Sequence, residues 1–389
     1  MNKKDIASVR KEFKSESFKL RIKDIFTVYV QKEKSEIFHK EYNYFSMLEA
    51  EQQVLYLQNF KKVLSGNLAE KLFEVKFNKS IKNNAQDILF EGVKCDSDRF
   101  QELMLELVKR NIDEDQYNED MIFTFIRAEY YMAVNKKKKG KDKEEEKSAK
   151  ENFIFFSLNK TTSPKKALLF DYTRKEFKSN LVLDAMINLT TPIQGFMFPT
   201  IQQGATVDIN RVLYSTGKKN LPDRYFISKV LNGDTEIETA DNETIYFNEI
   251  LIKALGGKTN PKVISNVFYR LNRIVESEKE EESRDDEPVM LDYKDITNIL
   301  ISSGVTVESE DIKEIFKEVV ADEKYEFKAE NLLSQNRIDI NSRPVKLSVD
   351  AQDLQKVRQI LHNGKLCLMI EIDQNIEVNG LTIETEVEE

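Results

Sequence analysis

Two apolar runs in the middle of the chain constrain its fold most. Residues 121–134 read MIFTFIRAEYYMAV, and residues 152–158 read NFIFFSL. Both are rich in β-branched and aromatic residues, which favour buried strands. A third such run follows at 167–172. We therefore predict three neighbouring strands of an antiparallel sheet, with helices, in an N-terminal α+β domain.

A highly charged stretch separates the first two runs. Residues Lys136–Lys150 contain eight lysines and four acids. A basic tract can bind phosphate groups, but the interleaved glutamates weaken that attraction. We favour a solvated, disordered insertion over residues 136–151, because the tip of a hairpin tolerates insertions.

The region before these runs predicts a hairpin and three helices. Ser46 and Glu49 have the spacing of a capping box, in which each side chain accepts from a free amide of the first helical turn. Gly66 suits the end of that helix. The predicted elements are a helix at 4–13, strands at 22–30 and 37–44, a helix at 46–64 and a helix at 97–110.

Three segments are predicted along the chain: an N-terminal α+β domain at 1–203, a helical middle at 204–287 and a smaller C-terminal α+β unit at 288–389. The first boundary follows from the irregular, Gly- and Pro-containing stretch 192–212. The second follows from 276–287, where eight acids outnumber two bases and predict an exposed helix tail and linker.

Turn and cap residues subdivide the second half. Asn260-Pro261 marks a helix start, and Gly256-Gly257 marks the end of the preceding helix. Gly256-Gly257-Lys258-Thr259 also resembles the end of a P-loop, but Ile252 stands where that motif needs glycine, so we favour the helix connection. The C-terminal unit is predicted to contain helices at 292–302, 310–320 and 351–361 and strands at 338–340, 345–349, 366–372, 376–378 and 381–384.

The residues that usually carry enzyme chemistry are scarce. The chain has two histidines, two cysteines and no tryptophan, and Cys95 and Cys367 lie far apart. We predict a strand position for His39 and a helix end for His362. The sequence shows no spacing of zinc ligands, no nucleophile motif and no dinucleotide-binding fingerprint. The sequence therefore predicts no catalytic residue, no metal site and no cofactor. An enzyme that uses only carboxylates and lysines remains a further alternative.

Charge and hydropathy suggest a compartment and partners. Residues 1–200 carry 36 basic and 31 acidic residues, a net of +5, whereas residues 201–389 carry 23 and 37, a net of −14. The first half thus tolerates a polyanion and the second repels one. We see no run of about 20 apolar residues and no apolar stretch typical of a signal peptide. We expect a cytoplasmic protein with no membrane partner.

Basic residues interleaved with Phe170, Tyr172 and Phe177 form the candidate site. Such a pattern is typical of a surface that binds a nucleic-acid backbone. A sheet edge that lysines protect against edge-to-edge pairing explains it equally well. The candidate nucleic-acid-binding residues in this pattern are Lys160, Lys165, Lys166, Arg174, Lys175 and Lys178, and a second, weaker cluster adds Lys218, Lys219 and Arg224.

Three segments of the chain are similar to a known bacterial family. They are MNKKDIASVRKEFK at the start, NFKKVLSGNLAEKLFEVKF at residues 59–77 and LCLMIEIDQNIEVNGLTIE near the end. The family is found in low-GC Gram-positive bacteria and is described only as a domain of unknown function. The resemblance covers essentially the whole chain and implies no activity.

A second, more distant resemblance is to the bacterial 37-kilodalton nucleoid-associated protein family. It rests on FTFIRAEYY at 123–131, VDIN at 207–210, DRYFI at 223–227 and the order of elements around Asn363-Gly364. That family binds the chromosome without known catalysis. The insertion at 136–150 and the long stretch before Val207 depart from its pattern.

The sequence therefore predicts a non-enzymatic, nucleoid-associated protein of the cytoplasm. It would bind double-stranded DNA weakly, with tolerance of sequence and strong dependence on salt. Its acidic C-terminal domain would bind protein partners or a second copy in a homodimer. The alternative is a protein–protein interaction scaffold that does not bind nucleic acid.

Overall fold

The fold is described from a computed structural model that divides into two compact units, Met1–Thr239 and Ala240–Glu389. The described residues are 1–32, 36–79, 84–112, 119–133, 148–162, 168–171, 173–179, 186–202, 206–257, 260–280, 289–322, 325–333, 337–343, 345–373, 377–378 and 381–382. Mixed helices and strands, with a large antiparallel sheet in the first unit, confirm the predicted α+β class.

The N-terminal unit combines one large sheet with helices on both faces. Its α-helices are α1 (Lys3–Glu12), α2 (Ala50–Val63), α3 (Ala85–Lys94) and α4 (Ser97–Ile112), and Phe226–Val230 forms a π-helix. Its strands are β1 (Leu20–Gln31), β2 (Glu36–Tyr44), β3 (Leu72–Lys76), β4 (Met121–Ala133), β5 (Ser148–Thr162), β6 (Leu168–Asp171), β7 (Glu176–Ser179), β8 (Met186–Ile187), β9 (Gln194–Phe198), β10 (Thr200–Gln202), β11 (Thr206–Asp208) and β12 (Arg211–Thr216).

The sheet has the strand order β2-β1-β4-β5-β9-β12-β3, and β8 adds to the end of β5. All of these neighbours are antiparallel. One face packs against α3 and α4, and the other packs against α1 and α2. Because both faces are covered, the central strands are apolar at nearly every position, which explains the two runs in the sequence.

Adjacent phenylalanines on β5 show how the two cores form. Side chains alternate across a strand, so Phe156 and Phe155 lie on opposite faces. Phe156 stacks on Phe125 with ring centroids 4.7 Å apart. Phe155 contacts Phe13 at 5.2 Å and Phe60 at 5.3 Å. One strand thus anchors both helical layers.

Most of the predicted N-terminal elements are confirmed, but the start of α2 was predicted too early. The helix near residue 4, the β1–β2 hairpin and the helix beginning at Ser97 are present. Ser46 lies in a short 3₁₀ turn whose first residue, Phe45, is buried. The capping box instead joins Glu49 and Gln52, because the buried turn occupies the earlier positions.

The third predicted strand of the sheet was assigned to the wrong segment. β6 pairs with β7 in a separate hairpin, because the chain turns back at 173–175, where Lys175 has φ +56°. The strand that pairs with β5 is β9. Residues 192–212 were predicted as an irregular boundary, yet they contribute β9 and the start of β12 to the sheet.

The division between units therefore lies at Thr239 rather than at residue 203. β12 pairs with β9 on one side and with β3 on the other, and a boundary at 203 would separate them. The predicted middle segment 204–287 is divided at Thr239, because its first part, which contains β12, belongs to the first unit. The predicted insertion 136–151 lies mostly outside the described residues, and only its end, from 148, is seen, in β5.

The C-terminal unit packs helices around their own apolar core and adds small hairpins. Its helices are α5 (Ala240–Ala254), α6 (Pro261–Glu280), α7 (Tyr293–Ser302), α8 (Ser309–Val320) and α9 (Ala329–Leu332). Its strands are β13 (Met290–Leu291), β14 (Phe327–Lys328), β15 (Arg337–Ser342), β16 (Val345–Asp350), β17 (Val357–His362), β18 (Lys365–Ile370), β19 (Glu377–Val378) and β20 (Leu381–Thr382).

The predicted connection between two helices is confirmed. Gly256 and Gly257 have φ +63° and +75° after α5. The Asn260 side chain then accepts a hydrogen bond from the Lys262 amide at 2.9 Å as α6 begins. The P-loop alternative is therefore not supported at the described positions. Lys258 and Thr259 lie outside the described residues, as do 281–287 of the predicted acidic linker.

The predicted helix at 351–361 is wrong. Residues Ala351–Lys356 form a 3₁₀ helix, and β17 follows it. Asn363 and Gly364 both have positive φ, +49° and +74°, which is the geometry of a tight hairpin turn. The pair therefore joins β17 to β18 instead of ending a helix, and His362 lies opposite Lys365.

The domain division predicts which fragment folds. A fragment of residues 1–239 should unfold cooperatively in urea, because it keeps the whole sheet. A fragment of residues 1–203 lacks β12, whose Val212, Leu213 and Tyr214 are buried, and should show no cooperative transition by circular dichroism. Equal cooperativity of the two fragments would contradict the division at Thr239.

Candidate functional site

Strand pairing brings several of the predicted basic residues to one end of the N-terminal sheet. Lys160 lies near the end of β5, opposite Met121. Lys218 and Lys219 follow the end of β12. Backbone hydrogen bonds from Gly217 to Ile193 and from Ile193 to Leu158 connect these two strand ends.

The β6–β7 hairpin emerges from the same end. Thr161 pairs with Ile187 and Thr162 pairs with Met186, so the chain between them leaves and returns there. Its turn contains Arg174 and Lys175. Arg224 follows a segment that folds back onto β12, where Thr216 Oγ1 donates to the Leu221 carbonyl at 2.8 Å. We call Lys160, Arg174, Lys175, Lys218, Lys219 and Arg224 the lysine end.

Acidic residues partly neutralise the lysine end. Lys160 forms an ion pair with Glu119 at 2.8 Å, and Lys219 forms one with Glu70 at 2.7 Å. Arg174 lies 3.9 Å from the adjacent strand residue Glu176. Lys218 and Arg224 are exposed. The surplus positive charge is therefore smaller than the sequence suggests.

The remaining predicted site residues are only partly described. Lys165 and Lys166 lie outside the described residues, and Lys178 is described only as a backbone position opposite Leu169. Phe177 is 75 % exposed beside the turn. An exposed aromatic ring next to cations fits a nucleic-acid surface. The alternative, a lysine-protected edge, also fits this two-stranded hairpin.

The opposite end of the same sheet holds a buried ion pair that sequence reasoning missed. Asp24 on β1 pairs with Arg127 on β4, and the Asp24 residue is only 2 % exposed. Arg127 also donates to the Cys95 carbonyl at 2.6 Å and lies over the Phe100 ring. Tyr42 donates to Asp24 at 3.0 Å. The charges are thus paired and hydrogen-bonded, as burial requires.

A β-bulge brings a further cation to this cluster. The β1–β4 register shifts between Ile22 and Asp24. Ile22 packs towards the core under α1 and α2, whereas Lys23 and Asp24 both contact charged groups of the α4 face. Lys23 is the extra residue of the bulge, and for that reason Lys23 and Asp24 lie on the same face although they are consecutive.

Lys23 contacts Glu129, the second buried carboxylate of the cluster. Glu129 accepts hydrogen bonds from Lys150 at 2.9 Å and Tyr131 at 2.8 Å, and it pairs with Lys23 at 2.8 Å. Burial acts to raise the pKa of Glu129, but the hydrogen bonds from Lys23, Lys150 and Tyr131 outweigh it and lower the pKa to about 2. Glu129 is therefore ionised throughout the neutral range.

Lys23, Asp24, Arg127 and Glu129 line a pocket of about 560 Å³. β2 stops at Tyr44, so the beginning of β1 has an open edge there. The loop after α1 contributes Lys14 and Ser17, and Ser97 comes from the first residue of α4. The sequence contained one signal for this site: Asp24 and Arg127 interrupt otherwise apolar strand runs, which is unusual for charged residues.

The two histidines and two cysteines lie in separate parts of the fold. His39 lies in β2, as predicted, whereas His362 ends β17. Cys95 is half-buried, and burial raises the pKa of its thiol. Within the described ranges, histidine, cysteine and acidic side chains form no group of three that could hold a metal ion. No helix in the described part of the chain is long and apolar enough to cross a bilayer.

The first unit is thus an α+β domain with cations at one end of its sheet and a charged pocket at the other. Residues 1–381 match the family described as a domain of unknown function (DUF4317), and the chain belongs to this family. The predicted membership of an uncharacterised family is confirmed. A search of curated proteins gives no match. The likeness to the nucleoid-associated family stays a prediction.

The lowered pKa of Glu129 predicts how its contribution to stability depends on pH. A carboxyl whose folded pKa lies below its usual 4.5 stabilises the fold above pH 4.5 and loses this effect as pH falls through about 2. Replacing Glu129→Gln should therefore cost about 2 kcal/mol of unfolding free energy at pH 7, from lost charged hydrogen bonds, and clearly less at pH 3.

Urea denaturation of both proteins at the two pH values measures this difference. Glu51→Gln on the exposed surface of α2 is the matched control and should change stability little at either pH. A cost of Glu129→Gln that is equal at pH 7 and pH 3 would show that the ion pairs of Glu129 do not stabilise the fold.

Proposed function

We propose that this protein is a non-enzymatic, nucleoid-associated protein of the cytoplasm that binds double-stranded DNA through the lysine end. The observation that carries the proposal is the strand connectivity, which brings Lys160, Lys218 and Lys219 together at one end of the sheet. Cations clustered at one end of a rigid sheet attract the phosphate backbone.

The geometry favours weak binding without sequence recognition. Lys160 and Lys219 already pair with acids, so each phosphate contact competes with an internal ion pair. Lysine contacts to phosphate carry no information about base sequence. The distant likeness to the nucleoid-associated family and the net charge of +5 in residues 1–200 add support.

The absence of an enzymatic role is part of the proposal. Glu129, whose pKa is lowered to about 2, cannot donate a proton near neutral pH. Asp24 is occupied by Arg127 and Tyr42. Glu129 is thus not available as a general acid, and the ion pairs of both carboxylates hold strands and side chains in position.

The second candidate function is a protein–protein interaction scaffold that does not bind nucleic acid. The observation that favours it is an apolar face on the β17–β18 hairpin, where Leu361 and Leu366 are 71 % and 72 % exposed and Leu368 lies beside them. Exposed apolar patches of this kind mark interaction surfaces. A protein complex or homodimer that persists after nuclease treatment, in a protein that fails to bind duplex DNA, would favour this function.

Charge reversal at the lysine end tests the DNA proposal. We expect the double variant Lys218→Glu/Arg224→Glu to bind a short duplex more weakly and to lower the slope of log K against log salt by roughly 2, since each phosphate contact contributes about 0.9. Fluorescence anisotropy between about 50 and 200 mM salt measures both quantities.

The matched control is Lys262→Glu/Lys294→Glu, which makes the same change in net charge. Both lysines are exposed in the first turns of α6 and α7, where an acid suits the helix dipole. The control should bind DNA like the parent protein. If parent protein fails to bind at the lower salt, or if the two double variants lose affinity equally, the lysine end is not the DNA surface.

A further inference from the structure

The pocket at the end of β1 has walls from three parts of the N-terminal unit. The edge of β1 forms its floor, the loop after α1 supplies Lys14, and the end of β2 with the turn that follows supplies Tyr44 and Phe45. Its volume of about 560 Å³ lies within the range of about 300–1,000 Å³ typical of small-molecule sites. The pocket exists because β1 extends further than β2.

The lining carries more positive than negative charge. Its cations are Lys14, Arg21, Lys23 and Arg127, and its anions are Asp24 and Glu129. Arg127 neutralises Asp24, and Lys23 neutralises Glu129. Two cations, Lys14 and Arg21, remain in excess within the lining, and Lys14 also lies 3.9 Å from Glu12, which does not line the pocket. A third cation, Lys150, contacts Glu129.

Arg21 lies where its charge is least compensated. It pairs across the strands with Glu129, which already accepts from Lys23, Lys150 and Tyr131. Like charges brought together beside a low-dielectric wall repel one another, and an anion relieves the repulsion. The Ser15 hydroxyl lines the same space and can donate to phosphate oxygens. Ser17 already donates to Glu12 at 2.7 Å, and Ser97 contacts the Tyr42 hydroxyl at 2.7 Å.

An exposed aromatic ring borders the charged part of the pocket. Tyr44 lines the pocket and is 58 % exposed. Phe18, next to the lining residue Ser17, is 98 % exposed. A tyrosine face of this kind can stack on a planar ring. The site therefore offers one region for a dianion and a neighbouring region for an aromatic group.

We propose that this pocket binds a small phosphate monoester that carries a planar ring, such as a nucleoside monophosphate. Arg21 and Lys14 face the phosphoryl group, and Tyr44 contacts the ring. The buried pair of Asp24 and Arg127 holds the floor in position. This site lies at the end of the sheet opposite the lysine end, so it is separate from the proposed DNA surface.

Calorimetric titration with adenosine 5′-monophosphate, ribose 5-phosphate and adenosine tests the proposal on the full-length protein. We expect the monophosphate to bind at least about tenfold more tightly than adenosine, since charged hydrogen bonds to phosphate supply most of the affinity. The affinity for ribose 5-phosphate should lie between the affinities for these two ligands. Arg21→Gln and Lys14→Gln should each lower the affinity for the monophosphate by about tenfold.

Lys11→Gln is the matched control, because Lys11 is exposed on α1 three positions before Lys14 and does not line the pocket. It should leave the affinity unchanged. The proposal is overturned if the monophosphate does not bind at about 10 mM, a weak limit even for fragments, if it binds no better than adenosine, or if Lys11→Gln weakens it as much as Lys14→Gln.

The lysine-end variant separates this proposal from the DNA proposal. Lys218→Glu/Arg224→Glu should keep the affinity of the parent protein for the monophosphate, whether or not the parent protein binds DNA. A parallel loss of monophosphate affinity in that variant would assign the phosphate site to the lysine end and contradict the pocket. Thermal unfolding of Arg21→Gln and Lys14→Gln checks that both variants are folded, and the result from either folded variant decides the test.

Discussion

The pairing of β4 with β5 is the interaction on which the rest of the N-terminal unit depends. The ladder runs from Met121 opposite Lys160 to Ala133 opposite Ser148 without a shift of register. β1 adds to the outer side of β4, and β9 adds to the outer side of β5. Because side chains alternate across a strand, a slip of one residue would exchange the two faces of this central pair.

That register also determines where the charges lie. Phe125 packs in the core beneath α4, and Arg127 and Glu129 follow it on the same face of β4. Arg127 lies beside Ser97, the first residue of α4, and there the charged groups pair and line a pocket. At the other end of the ladder, Lys160 lies outside the core and meets Glu119. The two charged regions thus lie at opposite ends of the β4–β5 pair.

The sequence predicted the elements whose signals are local. The apolar runs at 121–134 and 152–158 gave the central strands, and the signals at Asn260 and at Gly256-Gly257 gave the helix connection. Errors arose where a local signal has two meanings. Asn363-Gly364 fits a helix end or a hairpin turn, and the choice depends on whether residues 357–362 find a neighbouring strand.

Long-range pairing explains what the sequence could not predict. The Gly and Pro residues of 192–212 suggested a boundary, but β9 and β12 are held by strands that lie far away in the chain. The pocket depends on a bulge at Lys23 and on the meeting of Asp24 with Arg127, which are separated by more than a hundred positions. The basic residues were found, whereas their acidic partners Glu119 and Glu70 were not, because only the folded sheet brings them together.

Hydrogen–deuterium exchange with and without a short DNA duplex tests most directly whether the lysine end is the functional surface. The proposed function predicts slower exchange in peptides that cover 158–162 and 211–224, where the strand ends carry Lys160, Lys218 and Arg224. It predicts no change of exchange rate in residues 20–24, at the opposite end of the sheet, or in residues 293–320 of the C-terminal unit. Protection of the C-terminal unit alone, or no protection of any peptide at low salt, would contradict the proposed function.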